Sequence, residues 1–167
     1  MSHPVVLISA LARNHVIGTQ EGMPWHVPAE YQQYLGFIRD QTVIMGRRTY
    51  EIFGADLTSR YALVVSRSLP PGKGYQICHS LSDALAAAQL LGRTIFVAGG
   101  ASIYAQALPW ADAMYLSYIE GTHEGTAYFP AFDPAAWEVT ERQVHPQFEF
   151  VRYRRRAKRE TGRKEAE

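Results

Sequence analysis

The chain has 167 residues, a formal net charge of +1 and a hydrophobic content of 47%, which predicts a single domain with one core. Its one cysteine, Cys78, excludes an internal disulfide and a cysteine-based metal site. Residues 1–4 do not resemble the basic start of a signal peptide, and no apolar run approaches the length of a membrane span. We therefore expect a cytoplasmic protein without a membrane partner.

Strand and helix patterns alternate along most of the chain. Short apolar runs predict strands at 5–11, 42–45, 61–66, 75–78, 94–98 and 114–119. Helical spacing, caps and Gly or Pro stops predict helices at 28–38 and 48–53, from a cap at Ser80 to Gly92, and at 102–108. Residues 137–145 and 148–155 have no helix between them and should form an antiparallel hairpin. This order predicts an α/β sandwich with a mostly parallel sheet and a C-terminal antiparallel hairpin.

The basic residues are unevenly distributed. Seven of the 17 lie in residues 154–167, which predicts a charged tail at 156–167 after a domain at 1–155. Four more, Arg47, Arg48, Arg60 and Arg67, fall in one short window of an otherwise acidic body. That concentration indicates a local anionic ligand, and nucleic acid is not an expected partner.

A turn at Ile17-Gly18 is expected before residues 22–30, a connector that two prolines, Pro24 and Pro28, shape before the first predicted helix. Trp25 lies in this connector and needs apolar contacts and a partner for its indole N–H. Glu30 falls in the first helical turn, where the helix dipole alone would favour a carboxylate. If Trp25 and the nearby tyrosines surround it, the carboxyl group should resist ionisation unless a cationic or N–H-rich ligand pairs with it.

Three predicted strand ends carry groups suited to a phosphate. Gly99-Gly100 would let the backbone approach an anion at a helix start, although a simple tight turn explains the pair as well. Gly46-Arg47-Arg48 repeats the arrangement with two guanidinium groups, and Ser66-Arg67 follows the next strand. Carboxyl ends of parallel strands meet at one edge of a sheet, so we expect these groups to face the same ligand.

Other kinds of chemistry find no support in the sequence. The six histidines are not at metal-ligand spacing, and no Ser-His-Asp order suggests a nucleophile. The G-x-G-x-x-G and Walker A motifs are also absent. We predict neither a metal site nor covalent catalysis.

In chain order the sequence contains V-I-G, M-P-W-x-x-P-x-E, V-I-M-G-R-x-T, L-x-x-R, S-R, G-G-x-x-I-Y and Y-F-P. Over roughly residues 5–155 this set resembles the dihydrofolate reductase family. The resemblance implies a three-layer sandwich with an eight-stranded mixed sheet, four helices and a monomer. It also implies NADPH-dependent reduction of 7,8-dihydrofolate to 5,6,7,8-tetrahydrofolate, by hydride transfer to C6 and protonation at N5. Support of one-carbon metabolism and thymidylate synthesis, and binding of antifolates such as methotrexate or trimethoprim, would follow.

The resemblance assigns catalytic roles to three residues. Glu30 would bind the pterin N3 and 2-amino groups and support protonation at N5, Trp25 would order the adjacent water, and Met23 would belong to a mobile loop over the nicotinamide. Arg60 would bind the α-carboxylate of the folate glutamate, and Ser117 would bond to Glu30. The remaining expected substrate contacts are Ile8, Ala10, Tyr31, Tyr34, Phe53, Leu57, Ala98 and Tyr104.

The resemblance also places the NADPH site. Arg47 and Ser66-Arg67 would surround the adenosine 2′-phosphate, and Arg48 with residues 99–102 would lie near the pyrophosphate. The Gly99-Gly100 peptide bond is expected to be cis. The expected cofactor contacts are Ala10, Ile17, Gly18, Gly46, Arg47, Arg48, Thr49, Val65, Ser66, Arg67, His79, Gly99, Gly100, Ala101, Ser102, Ile103 and Tyr104.

Four positions depart from the family pattern. Tyr34 stands where Phe is usual, Leu35 replaces a polar or basic neighbour, and Ala101 replaces a third glycine. Thr126 stands where an Asp helps to hold the mobile loop. These departures bear on loop closure, turnover rate and antifolate affinity.

Three other functions stay open at this level. A riboflavin-pathway pyrimidine reductase would have the same fold, but its substrate lacks the pterin and glutamate tail that Glu30 and Arg60 would bind. A non-catalytic pterin- or nucleotide-binding module is conceivable because of the altered loop around Thr126. The basic tail could also bind RNA, which is the weakest of the three.

Overall fold

The computed structural model describes residues 2–18, 22–68, 70, 72 and 74–157. The strands are β1 (Val5–Ala12), β2 (Val16–Gly18), β3 (Thr42–Gly46), β4 (Tyr61–Val65), β5 (Gln76–Cys78), β6 (Ile95–Val97), β7 (Ala113–Ile119), β8 (Ala127–Tyr128), β9 (Trp137–Val144) and β10 (Phe148–Arg155). The helices are α1 (Pro28–Ile38), α2 (Arg47–Phe53), α3 (Leu81–Gln89) and α4 (Ala101–Ala107). Short 3-10 turns at Gly54–Asp56 and Leu108–Trp110 follow α2 and α4, and another at Pro134–Ala136 precedes β9.

The main sheet contains eight of these strands, in the order β5-β4-β3-β6-β1-β7-β10-β9. The six strands from β5 to β7 are mutually parallel, whereas β10 is antiparallel to both β7 and β9. This arrangement confirms the predicted mostly parallel sheet and its C-terminal antiparallel hairpin.

Helices cover both faces of the sheet. Alternate side chains of β1 point to opposite faces, so Val5 and Leu7 pack in one cluster with α3 and α4, while Val6 and Ile8 pack in another with α1. Burial on both faces explains why β1 is a continuous apolar run rather than an alternating one. The predicted three-layer sandwich is confirmed.

Two details of the predicted elements were wrong. Helix α3 begins as expected, with Ser80 Oγ accepting from the Asp83 N–H at 3.0 Å, but it ends at Gln89 rather than at Gly92. The chain leaves it through tighter bonds from the Leu90 and Leu91 N–H groups to carbonyls three residues earlier. The remaining strand and helix limits lie within one residue of those predicted.

The predicted turn at Ile17-Gly18 is instead part of β2, which pairs with β8 in a second, two-stranded sheet. Two or three residues are too few to show a strand period, and the partners lie more than 100 positions apart. This small sheet joins the start of the predicted mobile loop to the segment before Phe129.

The C-terminal boundary is described only to residue 157. The Arg156 N–H still bonds to the Ala136 carbonyl at 2.9 Å, and the predicted tail beyond residue 157 lies outside the described residues. Among the described helices, none combines the length and the apolar character needed to span a bilayer.

Candidate active site

A cavity opens where the carboxyl ends of β1, β3 and β6 meet. Cross-strand bonds hold this edge together, because Gly46 N–H donates to the Gly99 carbonyl at 2.8 Å and Ala98 N–H to the Ile44 carbonyl at 2.8 Å. The cavity is open to solvent, and a concave, largely apolar space with a few polar groups suits a small-molecule ligand. Its lining residues are Ile8, Ser9, Ala10, Ile17, Met23, Glu30, Tyr31, Tyr34, Thr49, Phe53, Ala98, Gly99, Gly100 and Tyr104.

Glu30 is the buried carboxylate of this cavity, with only 5% of its surface exposed. Burial raises its pKa from 4.5 to about 7, and a hydrogen bond from Ser117 partly offsets that rise. Ser117 lies on β7 and also accepts from Gln33 Nε2 at 3.4 Å. Ser117 therefore lies beside Glu30. Near neutral pH the carboxyl group can either hold or release a proton.

Aromatic side chains form the wall beside Glu30. The Tyr31 ring stacks on Tyr34 at 5.9 Å and lies 6.3 Å from Phe53. The Tyr31 hydroxyl donates to Asp56 Oδ2 at 2.7 Å, so its polar end is satisfied outside the apolar wall. Burial is the main cause that raises the pKa of both tyrosines, and they remain neutral. Planar neutral rings beside a carboxylate suit a flat heterocycle that carries N–H groups.

Tyr104 forms the opposite wall and joins α4 to β1. Its hydroxyl donates to the Ile8 carbonyl at 2.6 Å. Gly99 has φ +108°, and a Cβ at that position would lie 3.4 Å from the Tyr104 ring. The positive φ is therefore the reason that glycine is favoured at this position. The Gly99-Gly100 bond is cis, as expected.

A second cleft continues from the cavity past the start of α2 and α4. It is lined by Ile17, Gly18, Gly22, Met23, Gly46, Arg47, Arg48, Thr49, Ile52, Phe53, Gly100, Ala101, Ser102, Ile103 and Ala127. Arg47 makes an exposed pair with Glu51 at 3.5 Å, a kind of contact that contributes little to stability. The cleft thus combines guanidinium groups with closely approaching backbone, which suits an elongated ligand bearing phosphates.

Met23 and Trp25 lie beside the cavity and the second cleft, and we call this pair the Met23–Trp25 cover. Met23 lines the cavity, the second cleft and a third depression beside α1, and Trp25 lines that depression with Glu30 and Phe53. The predicted catalytic residues therefore meet at one place.

Seven predicted site residues do not line these spaces. Ser117 lies beside Glu30, and Leu57 packs with the α1 cluster. Arg60 is exposed, and its guanidinium lies 5.5 Å from the Tyr61 ring centroid. Val65, Ser66, Arg67 and His79 lie at the ends of β4 and β5, farther along the same edge. Their ligand contacts stay predictions.

Other lining residues were missed. Ser9 interrupts the apolar run of β1, and that interruption was a usable signal. Asp56 and Ile52 gave no signal, because their place in the wall depends on how α2 packs against α1. Ala127 lines the cleft only through the unpredicted β8 strand. Across the described ranges, no group of three or more His, Cys, Asp or Glu side chains converges as a metal site would require.

Comparison with known proteins gives one consistent result. The sequence profile described as dihydrofolate reductase matches residues 4–158. Dihydrofolate reductase type 3 of Salmonella typhimurium is 38% identical over 143 residues, covering 85% of this chain and 88% of that protein. Dihydrofolate reductase HdrB of Haloferax volcanii is 35% identical over 161 residues, covering 90% and 83% respectively. In fold, the chain is similar to the Enterococcus faecalis dihydrofolate reductase complexed with NADP(H) and RAB-propyl, with a TM-score of 0.84, 24% identity and coverage of 94% and 100%.

Proposed function

Because this chain belongs to the dihydrofolate reductase family, we propose that it reduces 7,8-dihydrofolate to 5,6,7,8-tetrahydrofolate with NADPH. The observation that carries the proposal is a buried carboxyl group, Glu30, in a cavity with aromatic walls, with its pKa raised to about 7. The product would serve one-carbon metabolism, including thymidylate synthesis.

On the substrate side, Glu30 would accept hydrogen bonds from the pterin N3 and 2-amino groups. A buried carboxylate without such donors is unfavourable, so a ligand that supplies two N–H groups gains more here than at an exposed site. Tyr31, Tyr34 and Phe53 would enclose the pterin and benzoyl groups. Arg60 would pair with the glutamate α-carboxylate outside the aromatic wall.

On the cofactor side, the second cleft would hold the NADPH. Arg48 and the backbone of residues 99–102 would face its pyrophosphate, and Arg47 its 2′-phosphate. Val65, Ser66, Arg67 and His79 would extend this site along the sheet edge. NADPH supplies the hydride that reduces the N5=C6 double bond at C6.

The protein's own groups would deliver the matching proton. A water beside Trp25 would carry the proton to N5 while Glu30 polarises the pterin. Met23 and Trp25 would exclude other water from the reacting atoms. Positioning and exclusion of water would supply most of the barrier reduction.

The test is loss of NADPH absorbance in the presence of dihydrofolate. The unsubstituted protein (the parent) should oxidise NADPH only when dihydrofolate is present. Glu30→Gln should lower kcat by at least about 100-fold while the Kd for NADPH stays within about 2-fold, and Glu138→Gln, a change on the half-exposed strand β9, should match the parent. Tight binding of NADPH and methotrexate without turnover would instead identify a non-catalytic binding module.

A further inference from the structure

Packing, rather than a hydrogen bond from Nε1, holds the indole of Trp25 in place. Its Nε1 is buried and has no hydrogen-bond partner among the described residues. On one side the ring packs against the cluster of Val27, Ile119, Phe148 and Phe150. On another side it meets the His123 ring at 5.3 Å with an interplanar angle of 67°. An edge-to-face contact of this kind contributes measurably beyond simple burial.

His123 lies in the loop between β7 and β8, and hydrogen bonds hold this loop in place. Asn14 Nδ2 donates to the His123 carbonyl at 2.9 Å, and the His123 N–H donates to Asn14 Oδ1 at 3.3 Å. The imidazole Nε2 also lies 3.2 Å from the Glu120 carbonyl oxygen. The two loop ends are tied as well, through Arg13 N–H to the Gly121 carbonyl at 3.0 Å and Thr126 N–H to the Gly18 carbonyl at 3.1 Å.

We propose that His123 is a positioning residue that holds the Trp25 ring, and with it the Met23–Trp25 cover, over the active-site cavity. The inference rests on the proposed function for its kinetic consequence. The Thr126 N–H bonds to the Gly18 carbonyl and so joins the loop between β7 and β8 to β2. The contact between the His123 and Trp25 rings is a separate attachment, which joins the same loop to the Met23–Trp25 cover. His123 acts through Trp25 and does not itself touch the reacting atoms.

Two substitutions separate this role from a purely local one. His123→Ala removes both the ring contact with Trp25 and the contact of Nε2 with Glu120. His123→Phe keeps an aromatic ring but cannot bond to Glu120. If His123 works through Trp25, Phe should rescue what Ala loses. Thr122→Ala, which changes the adjacent exposed side chain of the same loop, is the matched control.

The kinetic readout is single-turnover hydride transfer from NADPH to dihydrofolate. Aromatic pairs contribute about 0.5–1.5 kcal/mol, which corresponds to a factor of about 2 to 10. We expect His123→Ala to slow the step by about 2- to 10-fold, and His123→Phe and Thr122→Ala to stay at or near the parent rate. Equal losses of rate in His123→Ala and His123→Phe, or no loss of rate in His123→Ala, would overturn the proposal.

A spectroscopic readout works without turnover. With the exposed Trp110 replaced by Phe, the remaining tryptophans are Trp25 and Trp137, and Trp137 is only 4% exposed. His123→Ala should then increase acrylamide quenching of the fluorescence in the ligand-free protein, and His123→Phe should not. Unchanged quenching in the Ala variant would reject the packing role even if NADPH oxidation were absent, so failure of this inference can be distinguished from failure of the proposed function.

Discussion

Replacement of Glu30 by Gln should make the ligand-free protein more stable at neutral pH. Burial raises the pKa of Glu30 from 4.5 to about 7, so between these pH values the folded state holds a proton that the unfolded state has released. The stability of the parent therefore falls as pH rises through this window, and the loss is complete above pH 7. A neutral Gln has the same shape but no buried charge.

The size of the effect follows from the two pKa values. Each tenfold change in proton affinity corresponds to 1.36 kcal/mol, so ionisation of Glu30 in the folded state costs about 3 kcal/mol. For a chain of this size, that difference shifts Tm by about 6–12 °C. Well below pH 4.5 the carboxyl group is protonated in both states, and the difference between Glu30→Gln and the parent should lose its pH dependence.

Urea unfolding from pH 4 to pH 8, in the absence of ligands, measures this difference directly. Other titrating groups are common to both proteins and cancel when the variant and parent are subtracted. Glu124→Gln, the same change at an exposed position, should show no comparable rise with pH. A stability difference for Glu30→Gln that is constant across the range would refute the assignment of a raised pKa to a buried, functional carboxyl group.

Three further predictions concern other parts of the fold. Gly36→Ala should raise Tm by about 1–4 °C, because the position is exposed within α1 and an added Cβ meets nothing within 4 Å; a lower Tm in calorimetry would contradict this. Gly125→Ala should destabilise the protein by about 1–3 kcal/mol in urea, because its Cβ would lie 2.5 Å from both the Gly18 carbonyl oxygen and Val16 Cγ1, whereas unchanged stability would show that β2 and β8 separate freely. Arg60→Leu should raise KM for dihydrofolate by about 10-fold and leave KM unchanged for a dihydropterin without the glutamate tail; equal increases for both substrates would remove the assigned role.

The sequence predicted the fold best where a residue pattern has a clear physical explanation. The apolar run of β1 suited a strand covered on both faces, and the hairpin residues 137–155 had no helix to separate them. Gly99-Gly100 marked a turn between a strand and a helix, which the structure contains between β6 and α4. Such features depend on neighbours in the chain, and local patterns reveal them.

The features that the sequence did not reveal depend on partners far along the chain. The strand β2 exists through pairing with β8, and Asp56 enters the site only because α2 brings it to Tyr31 at 2.7 Å. His123 lies 98 positions after Trp25 in the sequence, and no spacing rule relates the two. For Glu30 the sequence supplied the position and the expected environment, whereas the size of its pKa rise required the packed structure.

The two outer strands of the main sheet also determine how the molecule meets other copies of itself. Unpaired strand edges can recruit further strands and lead to aggregation. Here one edge, β5, is only three residues long. The other, β9, carries Glu138 and Glu141, which form ion pairs with Arg154 and Arg152 of β10, and the register of the hairpin shifts between Arg152 and Tyr153. A second chain pairing along β9 would have to desolvate these charges and follow an irregular edge, so strand addition at either side of the sheet is disfavoured.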